Sequence, residues 1–124
     1  MTCLQYVNMI RYSHRKIVVV LMHIITKLIF IEAAEKYPNH KVSIQSVYKI
    51  LSTSIFNNPQ EMRAVFSSLD NFKYRNKWWV IDIAGNHLRL IGYINFINQR
   101  FYVKHIVTHK EYNQLTKFYR ENSE

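Results

Sequence analysis

The chain has 124 residues, which suits one domain, and 48% of them are hydrophobic, so it can bury a core. Lysine and arginine number 17 against 8 acidic residues, and the resulting net charge of +9 favours a polyanionic partner, most commonly nucleic acid. The alternative is that this charge serves only solubility. Cys3 is the only cysteine, which excludes an intramolecular disulfide and is typical of a reducing cytoplasm.

Residues 1–21 differ from the rest of the chain in charge and hydropathy. They hold basic residues and no acidic ones, and the run KIVVVLMHII resembles the core of a signal peptide. However, His23 and Lys27 interrupt the run, no small-residue cleavage site follows promptly, and the run is too short to span a membrane. We therefore expect no targeting segment and no membrane partner. Met22 is an alternative start, which would make residues 1–21 an N-terminal extension of a single domain at 22–124.

From Met22 the pattern predicts a short strand at residues 23–25 and then three helices. The first helix ends at Pro38 and carries an apolar stripe of Phe30, Ala33, Ala34 and Tyr37. The second is amphipathic, with the stripe Ile44, Val47, Tyr48, Leu51 and Ile55. The third is short and opens at Asn58 as N-cap, followed by Pro59 at the first helical position and Glu61 at the third.

From Phe72 the apolar period changes to two, which is typical of strands. The runs KWWVIDI, LRLIGYINFI and RFYVKHIV indicate three strands, joined at AGN and at the turn of Asn98 and Gln99. A last helix is predicted to begin at Thr108, with one stripe formed by Tyr112, Leu115 and Tyr119. Without an internal repeat or a linker, the sequence predicts an α+β fold in which helices pack on a small antiparallel sheet.

The segment VTHKEY at residues 107–112 combines a helix start with protonatable side chains. Thr108 and Glu111 have the spacing of a capping box, and the flanking valine and tyrosine have that of a hydrophobic staple. His109 and Lys110 would place positive charge at a helix N-terminus, and a bound anion would relieve that conflict. The segment alone leaves both helix initiation and a functional site open.

Alternation along the last two strands separates polar candidates from the core. Arg89 and Lys104 can both stand on the less apolar face of the sheet. We expect His105 in the core-facing row with Phe101, as a histidine whose hydrogen bonds are satisfied. His105 and His109 have i,i+4 spacing, but no third ligand is evident, so we expect no zinc site.

The basic half of the chain is poor in carboxylates. Between residues 61 and 110 the acids are only Glu61, Asp70 and Asp82, which argues against a nuclease with two metal ions. The candidate side chains there are Arg63, Asn86, Arg89, Lys104, His109 and Tyr112, to which we add Lys73 as an RNA-binding residue. This set suits RNA cleavage without a metal, because the substrate's own 2′-hydroxyl is the nucleophile.

Two alternatives remain from these residues. One is a basic RNA-binding module without catalysis. The other is a partner-binding surface formed by Trp78, Trp79 and neighbouring aromatic residues.

Several motifs follow one another in a fixed order over about residues 22–115. They are MHIIT, AAEKYPNHK, NPQEMRAVF followed by SLDNFKY, AGNHLRLI and YVKHIVTHKEY. In order and spacing they resemble the HigB toxins, the mRNA interferases of bacterial type II toxin–antitoxin systems. The resemblance implies a fold related to that of RelE-like toxins, with helices against a small, curved antiparallel sheet.

The resemblance also implies an activity and a set of partners. We expect a metal-independent endoribonuclease without a cofactor, which cleaves mRNA in association with the ribosome and is neutralised by a helix-turn-helix antitoxin called HigA. Matched by position, the motifs assign phosphate stabilisation to Arg89 and Lys104 and proton transfer to His109 and Tyr112. They also point to Arg63 and Asn86, which we expect to bind RNA.

Overall fold

The computed structural model describes residues 10–12, 15–17 and 20–122 of the chain. Its strands are β1 (Ile10–Tyr12), β2 (Arg15–Ile17), β3 (His23–Ile25), β4 (Asp70–Asn71), β5 (Trp78–Ile83), β6 (Leu88–Asn95) and β7 (Arg100–Thr108). Its helices are α1 (Lys27–Lys36), α2 (Lys41–Ser52), α3 (Pro59–Val65) and α4 (His109–Glu121), with a 3-10 turn at Pro38–His40. The predicted α+β class is confirmed.

The main sheet has five strands in the order β3-β7-β6-β5-β4. The strands β5, β6 and β7 pair antiparallel, as the sequence predicted, and β4, which was not predicted, pairs antiparallel with β5. The edge strand β3 pairs parallel with β7, so the sheet is mixed. The strands β1 and β2 form a separate antiparallel pair. Most of residues 1–21 lie outside the described residues, and with them most of the segment that the sequence set apart as an extension.

The helix boundaries follow from local sequence. The side chain of Asn58 accepts a hydrogen bond from the backbone N–H of Glu61 at 2.8 Å, as an N-cap does, and Pro59 begins α3. At α4 the capping box predicted for Thr108 and Glu111 is present in both directions. The second helix ends at Ser52, so Ile55 lies outside the stripe predicted for it.

The helices α1, α2 and α3 cover one face of the sheet, and the side chains between them form what we call the main core. Its members from the sheet include Ile81, Leu90 and Phe101, all fully buried. The helices contribute residues predicted from their stripes, including Ile44 and Leu51, both 0% exposed. Burial of this apolar surface is the main source of stability for the fold.

The helix α4 covers part of the opposite face, and we call the side chains beneath it the α4 cluster. Three sheet or loop residues are buried there: Phe72, Val80 and Ile91. The helix packs onto them with the predicted stripe Tyr112, Leu115 and Tyr119. The two adjacent tryptophans separate between the faces, since Trp78 packs in the α4 cluster and Trp79 against the main core. They therefore do not form one surface.

A β-bulge changes the faces of β7. Gly92 is opposite Val103 and Ile91 is opposite His105, so Lys104 is the extra residue on β7. The prediction that His105 shares the core-facing row with Phe101 is wrong, because the bulge turns it to the α4 side. There His105 Nε2 lies 2.8 Å from the Tyr119 hydroxyl, so its predicted hydrogen-bonded state is confirmed.

Glycine is required at the bulge by close backbone contact. A Cβ at Gly92 would lie 2.5 Å from the Tyr102 carbonyl oxygen and 2.6 Å from a ring carbon of Phe101.

None of the helices that the structure describes is long and apolar enough to cross a membrane.

Candidate active site

Arg89 and Tyr112, two of the predicted site residues, are in direct contact. Arg89 lies on β6, and the Tyr112 ring reaches it from the first turns of α4, with 4.6 Å between the guanidinium carbon and the ring centroid. Arg89 Nε is 3.5 Å from Asp82 Oδ1, an ion pair without hydrogen-bond geometry. The guanidinium is therefore fixed in orientation by a ring and a carboxylate while its other nitrogens can still receive a phosphate.

A pocket of about 320 Å³ lies on one side of Tyr112. Lys73 and Tyr74 line it, and the ammonium of Lys73 is 5.2 Å from the centroid of the Tyr74 ring. Tyr112 itself is packed edge-to-face on Phe72, with 6.3 Å between ring centroids. The structure thus brings the predicted Lys73 and Tyr112 to one pocket, beside Arg89.

A second depression, which we call the histidine cleft, has a volume of about 480 Å³ and lies at the end of the sheet where α4 begins. It is lined by Tyr37, His40, Asn86, His87, Leu88, Thr108, His109 and Lys110. His40 and His87 stack across it, with ring centroids 5.0 Å apart and planes 20° apart. The predicted Asn86 and His109 share this cleft. His109 is also one helical turn from Tyr112, so the cleft adjoins the Arg89–Tyr112 contact.

Glu111 joins the two walls of the histidine cleft. Its Oε1 accepts from the Tyr37 hydroxyl at 2.8 Å and from the backbone N–H of Thr108 at 3.0 Å, and its Oε2 pairs with Lys36 at 3.3 Å. The backbone hydrogen bond from Thr108 and that from Tyr37 lower the pKa of Glu111 to about 2. Burial, together with the same hydrogen bond, raises the pKa of Tyr37, so the phenol stays neutral and donates.

Comparisons with known proteins give the chain its family. The model of the HigB toxins, described as a RelE-like toxic component of a toxin-antitoxin system, matches residues 40–115. The chain belongs to the HigB toxin family. It is 56% identical over 103 residues to the mRNA interferase HigB of Escherichia coli O6:H1, which covers 83% of this chain and 100% of that relative. It is 40% identical over 99 residues to the mRNA interferase toxin HigB of Escherichia coli K12, which covers 80% and 95% respectively.

Two predicted residues of this HigB toxin lie apart from the Arg89–Tyr112 contact. Lys104, at the bulge, places its ammonium 5.9 Å from the centroid of the Trp78 ring. Arg63, on α3, donates from Nε to the carbonyl of Leu69 at 3.1 Å, next to the edge strand β4. Both are exposed basic residues, which suits contact with RNA phosphates outside the cleavage point.

Sequence reasoning missed His40 and His87 as site residues of the toxin. They are 47 positions apart, and no local pattern joins a residue of the turn before α2 to one of the turn before β6. The only signal was that His40 falls within AAEKYPNHK and His87 within AGNHLRLI, two of the motifs that carry the family resemblance. Asp82 was counted only as one of a few acids, and the structure gives it a partner in Arg89.

The ionisable groups of the site suit phosphate binding and proton transfer. Across residues 20–122 no group of three or more histidine, cysteine, aspartate or glutamate side chains is arranged to hold a metal ion.

His105 lies outside the histidine cleft, and its pKa is lowered by burial and then by the charge of Lys104. A neutral His105 fits its contact with the Tyr119 hydroxyl, so we assign it a packing role.

Proposed function

We propose that this HigB toxin inhibits translation and growth by cleaving mRNA as an endoribonuclease that needs no metal. The observation that carries the proposal is the Arg89 guanidinium, held 4.6 Å from the Tyr112 ring. Tyr112 in turn lines one pocket with Lys73 and lies one helical turn from His109, which lines the histidine cleft. The activity named for the relatives, mRNA interferase, supports mRNA as the substrate.

The proposed step is an intramolecular transesterification. The 2′-hydroxyl oxygen of the substrate attacks the adjacent phosphorus and loses its proton, the bond from phosphorus to the 5′-oxygen breaks, and that oxygen gains a proton. The products are a 2′,3′-cyclic phosphate and a 5′-hydroxyl. Arg89 stabilises the charge that develops on the phosphorane, and His109 and Tyr112 are the two proton-transfer groups.

The remaining predicted residues hold the RNA on either side of this step. Lys73 lies in the pocket beside Tyr112, and Asn86 lies in the histidine cleft beside His109. Lys104 stabilises phosphate charge farther along the sheet, and Arg63 does so at the β4 edge. Such contacts position the substrate and make its binding depend on salt.

Membership of a toxin–antitoxin family implies a cognate antitoxin. We propose that this antitoxin is a helix-turn-helix protein of the HigA type, that the toxin acts on mRNA in association with the ribosome, and that it does so in the cytoplasm. We also propose that residues 22–124 form the toxin domain and that residues 1–21 are an extension of it.

Cleavage of a defined mRNA in the presence of EDTA, with the ends of the products mapped, tests the proposed reaction. With ribosomes added to the assay, the wild-type toxin should give 2′,3′-cyclic phosphate or 3′-phosphate ends. Arg89→Ala should slow cleavage by about a hundredfold or more, because one donor to the transition state is lost. The matched control is Arg120→Ala, which removes an exposed arginine near the end of α4 and should leave the rate unchanged.

Expression in bacteria without an antitoxin provides a second readout. The wild type should arrest growth, and Arg89→Ala should relieve the arrest. A strict requirement for added Mg²⁺ would disprove the metal-free step. RNA binding that weakens in Arg89→Ala with no cleavage by the wild type would instead identify a binding module.

A further inference from the structure

A row of aromatic side chains crosses the sheet on the face that α4 covers only in part. Tyr93 on β6 is opposite Trp78 on β5 and opposite Tyr102 on β7, so the three residues, which we call the aromatic row, occupy one line across three strands. The Tyr93 and Tyr102 rings are in contact, with centroids 5.7 Å apart. Directly opposite residues of paired strands point to the same face, so the row presents three rings side by side.

The aromatic row begins where α4 ends. Tyr119, in the last turns of α4, packs edge-to-face on Trp78 with 5.3 Å between ring centroids. Tyr93 and Tyr102 lie beyond Trp78 and are both partly exposed. Adjacent strands are about 4.8 Å apart, so the row spans about 10 Å, a length that can accept two or three stacked bases.

The charges around the aromatic row are positive or neutral. Lys104 lies over Trp78 at one side of the row. At the other side the next line across the strands consists of Asn95, Arg100 and His23, of which Arg100 and His23 are exposed. None of these described positions carries a carboxylate. Rings interleaved with cations are the arrangement that binds unpaired nucleic acid, with bases on the rings and phosphates on the cations.

We propose that the aromatic row is a second RNA-contact surface, which stacks unpaired bases of the substrate outside the cleavage site. Tyr93 is four residues from Arg89 on the same strand, or about 13 Å. The row therefore holds a part of the substrate that does not react. This inference rests on the proposed function for its substrate class. It also gives the bulge a use, since Lys104, the extra residue of the bulge, lies over Trp78 at one end of the row.

Binding of a labelled, single-stranded RNA with 2′-O-methyl groups, measured by fluorescence anisotropy with the full chain, tests the proposal. This probe has no free nucleophile, so the result is independent of cleavage. The double variant Tyr93→Leu/Tyr102→Leu keeps apolar packing but loses both rings, and it should bind the probe about tenfold or more weakly. The matched variant Tyr93→Phe/Tyr102→Phe keeps the rings and should bind within about twofold of the wild type.

A second probe with the same backbone but without bases separates stacking from phosphate contacts. The wild type and the leucine double variant should bind this abasic strand equally well. An equal loss for both probes would overturn the proposal, and so would unchanged affinity of a leucine variant that melts at the wild-type temperature. Unchanged RNA affinity with loss of the co-purifying antitoxin would assign the face to a protein partner. Absence of cleavage by the wild type, with the base-dependent loss still present, would refute the proposed function alone.

Discussion

The two faces of the sheet differ in what their side chains can do. The main core beneath α1, α2 and α3 is almost entirely apolar, and its residues are at most 9% exposed. The α4 cluster has only three buried members and is completed by tyrosines, a tryptophan, a valine and a leucine that are partly exposed. Arg89, His105 and Arg75 contact the rings of this second cluster.

In this small toxin one face of the sheet provides most of the stability, and the other face carries the functional side chains. A closed apolar face supplies most of the free energy of folding and tolerates no charge. On the other face one helix covers the sheet only in part, so the aromatic rings are packed against the protein on one side and exposed to solvent on the other. Those rings hold cationic side chains in fixed positions at the protein surface, where a phosphate can reach them.

The largest expected effect comes from breaking the main core. Phe101→Ala removes a ring that is 0% exposed, and it should lower the free energy of unfolding by about 3–5 kcal/mol. Urea denaturation measures this loss. Val65→Ala, at a position 52% exposed, is the control and should change stability by less than about 0.5 kcal/mol. Equal losses for the two variants would contradict the proposed role of this face.

The second prediction concerns Tyr112, where packing and chemistry meet. Tyr112→Phe keeps the ring beneath Arg89 and removes only the hydroxyl, so the melting temperature should stay nearly constant. If the hydroxyl transfers a proton, cleavage should slow by about a hundredfold or more. Tyr112→Leu should reduce both cleavage and stability. A Phe variant that cleaves at the wild-type rate would leave Tyr112 with only the packing role.

Sequence reasoning succeeded where a pattern is long and local. The helices α1, α2 and α4 and the strands β5, β6 and β7 were found because each has an apolar period, and α3 was found from its N-cap residues. The two residues of β4 have neither signal. The face of the sheet on which His105 lies was predicted wrongly. A bulge at Lys104, opposite the closely packed Gly92, shifts the alternation of side chains along β7 by one residue. Contacts between distant segments, such as His40 with His87, have no signature in the sequence, and Glu111 was identified only as a cap.

The third prediction concerns Glu111, which links Lys36 and Tyr37, at the end of α1, to the start of α4. Its folded pKa of about 2 lies below the ordinary 4.5, so the ionised form is favoured in the folded state. This contribution to stability is present above about pH 4.5 and is lost as the pH falls toward 2. Since the side chain is 36% exposed, solvent screening reduces the contribution to about 1–2 kcal/mol.

Glu111→Gln should therefore lower the free energy of unfolding at pH 7 by about 1–2 kcal/mol, because Tyr37 and Thr108 then donate to a neutral amide. Denaturation curves at several pH values should show the variant and the wild type converging between pH 4.5 and 2. Glu121→Gln, at an exposed residue near the end of α4, is the control and should follow the wild type throughout. A difference that does not depend on pH would show that the charge of Glu111 does not contribute.

The smallest expected effect is that of deleting residues 1–21. Met22 is 2% exposed, and its backbone N–H donates to the carbonyl of Ser54 at 2.9 Å, so the described core begins at this residue. The new terminal amine can make the same hydrogen bond. The melting temperature should therefore change by less than about 2 °C, which for a domain of this size corresponds to less than about 0.5 kcal/mol. Deletion of residues 1–25 is the matched comparison, because it also removes β3 and its pairing with β7, and it should destabilise the protein strongly. A large drop on the shorter deletion would show that the extension is part of the folded domain.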